Sequence, residues 1–303
     1  MSASNDPVAA GFGARFGRRQ VAGARVRRVG RAEVDRDGLD GLVRTLTLAA
    51  DDCAAPFERV RLLAEFSQQL DTILARDVAA DPLGRRLLHN LLQVLCTERD
   101  GVLEDVLPAL AAEGVQIIGW DQTSAADRKQ LRALFDKVVY PLVTPLAVDA
   151  THPFPYIPAM ALHVAALVRD CETRQQRFAC VPLPDQLFGM HPFRSGLVRL
   201  DAERLVGIDA IVGAFLELLF PGVQVMERST FRLVRAVGAM SALVPLHRLE
   251  IEDTTSARLA DILRRSLDVA DEAVYRTRAP LGLAERIVAA YEGRAQEEGG
   301  RDD

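Results

Sequence analysis

Lysine is almost missing from this chain: only Lys129 and Lys137 occur in 303 residues. A phosphate loop of the GxxxxGK[ST] kind closes on a lysine, and no such string is present. GxGxxG, HExxH and GxSxG are missing as well, which removes the usual signatures of dinucleotide, zinc-protease and serine-hydrolase sites. The five histidines, His89, His152, His163, His191 and His247, are far apart in sequence. Four cysteines (Cys53, Cys96, Cys171 and Cys180) form no CxxC pair, so a zinc site is not expected and buried, reduced thiols are. No apolar run approaches the roughly 20 residues that span a bilayer. The N-terminus shows no apolar stretch behind its charges, so a secretory signal is not expected and the cytoplasm is the expected compartment.

What is there suits a globular protein of two domains, with 49% hydrophobic and 26% charged residues. Charge is unevenly spread. Met1 to Arg31 holds seven arginines against Asp6, or +6, and the chain total of −5 leaves −11 on the rest. A body this acidic repels polyanions, so polyanion contact is expected only through the Arg15–Arg31 arm.

Residues 1–38 lack periodicity and read as a disordered, Arg-rich arm. From Leu39 to Ala112 the apolar residues recur at steps of three and four. One helix opens at Pro56 with Phe57, Val60, Leu63, Phe66, Leu70 and Leu74 on a stripe. Asp81 and Pro82 open a second, and a third, short helix carries Leu103 to Leu110 and stops at Gly114. Short connections imply antiparallel neighbours in a bundle. After Gly114 the period changes. Val115 to Ile118 reads as a strand and Ser124 starts a helix. The runs MALHVAALVR, RFACVPL, TFRLVRA and LHRLEI are β-type, interleaved with helices near 203–219, 255–267 and 280–292. The fold class is therefore α+β: a helical bundle over 39–120, an α+β domain with a mixed or antiparallel sheet over 121–292, and an acidic tail over 293–303. His163 lies inside a strand pattern and is expected in the core.

One stretch is more specific than its composition. Residues 138–157 read VVYPLVTPLAVDATHPFPYI, part of a run with five prolines from Pro141 to Pro158. Each proline fixes φ and pushes its predecessor toward extended backbone, so a rigid crossing is expected there. The stretch resembles the start of the middle (head) domain of histidine-phosphorylating polyphosphate kinases. VLPALAAEGVQIIGW, DRKQLRALFDKVVYP and PFERVRLLAEFSQQLDTIL are similar to that family's preceding segments, and FPGVQV, FRLVRA, HRLEIE and AVYRTRAPLGL follow its order downstream. The resemblance covers about Leu39 to Leu283.

The resemblance implies a nucleotide contact at Gln69, which stands where the family's SSNLDEF motif has an adenine-binding asparagine. Glutamine keeps the amide on a side chain one methylene longer. It also implies that the family's catalytic histidines and magnesium ligands fall in two domains after the head. No catalytic residue, metal ligand or cofactor is therefore expected in this chain, although the family uses ATP and magnesium. The function so implied is a non-catalytic assembly, dimerisation or regulatory module of polyphosphate synthesis. The alternative is the N-terminal half of a split kinase completed in trans. The implied partners are a second copy or a full-length polyphosphate kinase, with weak ATP binding and no membrane.

Overall fold

The computed structural model describes residues 36–75, 82–148, 161–183, 195–235 and 246–299. Among these, Arg36–Ala49 forms helix α1, Pro56–Ala75 α2 and Pro82–Ala112 α3. Helix α1 opens inside the span expected to be arm. Helix α3 runs without interruption where two helices were expected. Its Arg99-Asp100-Gly101 step looks like a break in sequence, yet Asp100 is buried and accepts a bond from the Arg278 backbone N–H at 2.9 Å. Packing overrides propensity there. Gly114 then turns the chain with φ of 81°, the left-handed conformation that stops a helix.

Strand β1 (Gln116–Ile118) and a 3-10 turn (Trp120–Gln122) lead to α4 (Ala125–Leu134). The Ser124 hydroxyl accepts from the Asp127 N–H, and the Asp127 carboxylate accepts from the Ser124 N–H, a reciprocal cap. Asp127 also takes both arms of Arg204 at 2.9 and 3.1 Å, which ties this helix start to a neighbouring strand. A π turn (Phe135–Val139) extends α4, so the proline-rich stretch begins helical. It then yields an edge strand, β2 (Leu146–Val148). Its remainder, residues 149–158, lies outside the described residues, as do His152 and His191.

The main sheet has the order β2-β4-β3-β7-β8-β9, with β3 (Leu162–Asp170), β4 (Gln176–Pro182), β7 (Val223–Arg235), β8 (Leu246–Glu252) and β9 (Val274–Thr277). It is antiparallel except for the parallel pair β8–β9. Strands β5 (Leu197–Arg199) and β6 (Arg204–Gly207) join β1 in a small sheet of order β1-β6-β5. Residues 204–207 are thus strand, where sequence suggested the start of a helix; α5 (Ile208–Ala214) and α6 (Leu216–Leu219) follow. The fold is α+β.

One face of the main sheet packs against α4 and α5 through Leu131, Phe135, Ile208, Ile211 and Val212. The other packs under α7 (Ala257–Ser266) through Leu259 and Leu263. Covered on both faces, β3 is buried from Leu162 to Val168, which explains an apolar run interrupted only by His163. The last helix, α8 (Leu283–Gly299), crosses back to α2, where Tyr291 stacks on Phe57 at 3.9 Å. It fits the helix expected near 280–292 and continues through residues 293–299, which the sequence assigned to a tail. The bundle core accordingly includes Leu197, Leu205, Tyr275, Ala279, Leu283 and Ile287 from beyond residue 120. Cys96 and Cys180 are buried thiols as expected, but Cys53 and Cys171 are exposed; all four are free.

Candidate functional site

The segment Ser67-Gln68-Gln69-Leu70-Asp71 lies in the second half of α2. Helical spacing sends its residues to different neighbours. Leu70 faces the bundle core with no exposed surface. Gln69 is half-buried toward α1: its amide nitrogen donates to Glu65 Oε1 at 2.9 Å, and its amide oxygen accepts from the Thr45 hydroxyl at 3.2 Å. Both ends of the amide are therefore occupied within the bundle.

Asp71 points the other way, to the sheet. Its carboxylate lies 2.7 Å from Arg248 Nη1, and the Arg248 side chain is fully buried. Strand β8 places Arg248 and Glu250 two residues apart, on one face. Register places Arg232 of β7 directly opposite Glu250. Glu250 consequently sits between two guanidinium groups, at 2.6 Å from each. Arg99 and Asp100 of α3 form a further pair at 2.7 Å beside them. The Tyr275 ring lies 5.7 Å under the Arg248 guanidinium and its hydroxyl is 2.9 Å from His89 Nδ1. Three arginines and three carboxylates thus meet at the seam between bundle and sheet.

Electrostatics separates the carboxylates. Burial alone would raise Glu250, but Arg232, Arg248 and Arg99 outweigh it and hold its carboxyl down at about 2. Burial wins at Asp71, whose carboxyl is shifted upward in spite of Arg248. Glu250 is therefore the fixed counter-charge of the cluster. Arg248 is raised, since Glu250 and Asp71 outweigh its burial. Burial lifts the Cys96 thiol to about 11, far from a reactive thiolate.

His163, at the start of β3, is a core histidine with no exposed surface, as its pattern suggested. It stacks on Phe231 at 5.0 Å, and its Nδ1 lies 2.9 Å from the Ala161 carbonyl. A carbonyl only accepts, so Nδ1 carries the proton and Nε2 is a bare lone pair without a partner. Burial lowers this imidazole to about 4. Among the described residues no group of three or more His, Cys, Asp or Glu side chains could hold a metal ion, and no helix is long and apolar enough to cross a membrane.

Sequence reasoning singled out Gln69, which lies apart from this cluster, and did not assemble Asp71, Arg248, Glu250 and Arg232 as a unit. A signal existed: HRLEIE carries charges at the alternate positions Arg248, Glu250 and Glu252 of an otherwise apolar strand, so those three share one face.

Comparison with known proteins bears on this arrangement. The polyphosphate kinase middle domain profile matches residues 126–237. A polyphosphate kinase of Streptomyces coelicolor is 31% identical over 304 residues, covering 87% of this chain and 40% of that protein. Another from Mycolicibacterium gilvum is 32% identical over 276 residues, covering 77% of this chain and 37% of its own length. The crystal structure of the polyphosphate kinase from Porphyromonas gingivalis superposes with a TM-score of 0.67 at 19% identity, over 82% of this chain and 39% of that one, a likeness of fold. The chain spans about 40% of the length of the curated relatives it matches. It is related to the polyphosphate kinases, carries their middle domain, and aligns well outside that domain.

Proposed function

From this kinship we propose that the chain serves polyphosphate metabolism as an assembly or regulatory module, not as a catalyst by itself. The observation that carries the reading is that, among the described residues, the candidate chemical groups are engaged by neighbours or buried. The Gln69 amide is engaged at both ends, His89 contacts Tyr275, and His163 is shut inside the sheet. Phosphoryl transfer depends on positioning and neutralising a mobile phosphate. The seam arginines already face carboxylates and are poorly placed for that task.

The same seam favours a role that depends on shape. Bundle and sheet are held in one orientation and can present a fixed surface to a second copy or to a full-length polyphosphate kinase. Light scattering should give a dimer at micromolar concentration, or a heterodimer when the kinase is added; a monomer in both mixtures overturns this. Purified alone, the chain should neither form polyphosphate from ATP nor form ATP from polyphosphate. Activity that appears only when a second chain supplies the remainder of the relatives' length would replace the module reading with that of a split kinase. Nucleotide held through Gln69 alone should bind at about 1 mM or weaker, near −4 kcal/mol. Calorimetry that finds micromolar ATP binding would overturn that expectation.

A further inference from the structure

Both lysines of the chain fall on one helical stretch. Lys129 lies in α4 and Lys137 in the π turn that extends it, eight residues or about 12 Å farther along the axis. Ala133 is midway, one turn from each, so Lys129, Ala133 and Lys137 form one row, exposed throughout. Arg128, Arg132 and Asp136 form the exposed row beside it. Two of the three acids here are already matched. Arg132 donates to both oxygens of Asp136 at 2.7 and 2.9 Å, and Arg204 holds Asp127. Among the described residues no carboxylate pairs with Arg128, Lys129 or Lys137. Five bases (Arg128, Lys129, Arg132, Lys137 and Arg204) against Asp121, Asp127 and Asp136 leave +2 on this face. Arg128 is also fixed in place. Its Nε donates to the Thr123 hydroxyl at 3.0 Å, and its guanidinium lies over the Trp120 ring at 5.5 Å.

We propose that this face of α4 binds inorganic polyphosphate, with Lys129 and Lys137 on separate phosphates of one polymer and Arg128 alongside. The substrate class rests on the polyphosphate reading given above; the site rests on the geometry of α4. Lysine ammonium groups are point charges that suit phosphate oxygens. Two amines about 12 Å apart favour a linear polyanion over a compact one, because a single phosphate cannot reach both. Between them the row offers only Ala133, with no ring on which a base could stack, which favours polyphosphate over a nucleic acid. The −11 on the body beyond Arg31 does not forbid the contact. At physiological salt, charges more than about 8 Å away are largely screened, so the local surplus decides. The site holds the polymer and does no chemistry on it.

Because the full chain has two lysines and one N-terminal amine, acetylation read by mass spectrometry reports on this face directly. Long-chain polyphosphate should slow acetylation of Lys129 and Lys137 about fivefold at low salt. Three neutralised phosphates imply a salt slope near −2, so the apparent Kd should weaken about 20-fold from 50 to 200 mM salt. No protection, protection confined to the N-terminal amine ahead of the arginine arm, or equal protection by single-stranded DNA of matched phosphate number would each overturn the proposal. Ala133→Asp sets a carboxylate one turn from each lysine, on the exposed row and away from the core. It should weaken protection about fivefold, measured against the variant's own rate without polyphosphate. Unchanged protection in that variant would sink the site as well. Light scattering keeps the assembly reading separate, since a dimer can form whether or not α4 binds the polymer.

Discussion

At the scale of single residues, the seam cluster makes two substitutions unequal. Glu250→Gln removes the carboxylate between Arg232 and Arg248 and leaves two buried guanidinium groups short of a counter-charge. It should destabilise the fold by about 3–5 kcal/mol in urea unfolding. Asp71→Asn removes a carboxylate that its surroundings already push toward the neutral form, and should cost about 1 kcal/mol or less. Equal losses would show that Asp71 anchors Arg248 as firmly as Glu250 does. pH provides a separate readout. The His163 imidazole falls from 6.5 to about 4 in the fold, so the unfolded chain takes the proton first. Stability conferred by a neutral His163 is complete above pH 6.5 and drains as pH falls toward 4, by at most about 3 kcal/mol. Glu250 acts lower, with stability lost as pH falls from 4.5 toward about 2. His163→Gln, whose amide nitrogen can still donate to Ala161, should flatten the upper window and leave the lower one. A wild-type unfolding midpoint that stays level from pH 6.5 to 4 would contradict the burial of a neutral ring.

At the scale of elements, the uninterrupted α3 makes Gly101 and Gly114 opposite cases. Gly101 is in mid-helix, and an added Cβ would find its nearest neighbour, Arg278 Nη2, at an ordinary 3.5 Å. Gly101→Ala should stabilise the protein by about 0.5–1 kcal/mol. Gly114 has φ of 81°, and Gly114→Ala should cost about 1–2 kcal/mol. Thermal unfolding of the two variants checks both signs. The pair also shows what the sequence conveyed and what it hid. Gly114 was legible as a stop because the period of three and four ends there and a β-type run begins. The Arg99-Asp100-Gly101 step resembled another stop because local propensity cannot see Arg278, 178 residues away from Asp100, presenting its N–H to that carboxylate. The sheet was legible from β-type runs, whereas α8 was harder to place because its partner α2 is more than 200 residues earlier. Gln69 was legible only through resemblance; the Thr45 and Glu65 contacts that hold it depend on how α1 meets α2.

At the scale of the whole molecule, the bundle core is not made by the bundle alone. Tyr275, Ala279, Leu283 and Ile287 complete the packing of Leu63, Leu70, Leu92 and Leu95. Calorimetry should therefore record one cooperative transition, with calorimetric and van't Hoff enthalpies equal. A fragment ending at residue 122 should fail to give a cooperative melt by itself. Two resolved transitions, or a stably folded fragment, would mean the shared core contributes little. The seam also governs which way this molecule can go wrong. Gln93 of α3 donates its amide nitrogen to the carbonyls of Glu272 and Val274, at 2.9 and 3.0 Å, beside β9. A sheet rim is a template on which foreign strands grow, and here one side chain takes the first carbonyl of β9, at Val274, and that of Glu272 in the turn before it. The opposite rim, β2, offers three residues. With one border partly occupied at its start and the other three residues long, the six-stranded sheet offers a foreign strand little to extend, and Gln93→Ala would free the Val274 carbonyl on the β9 border.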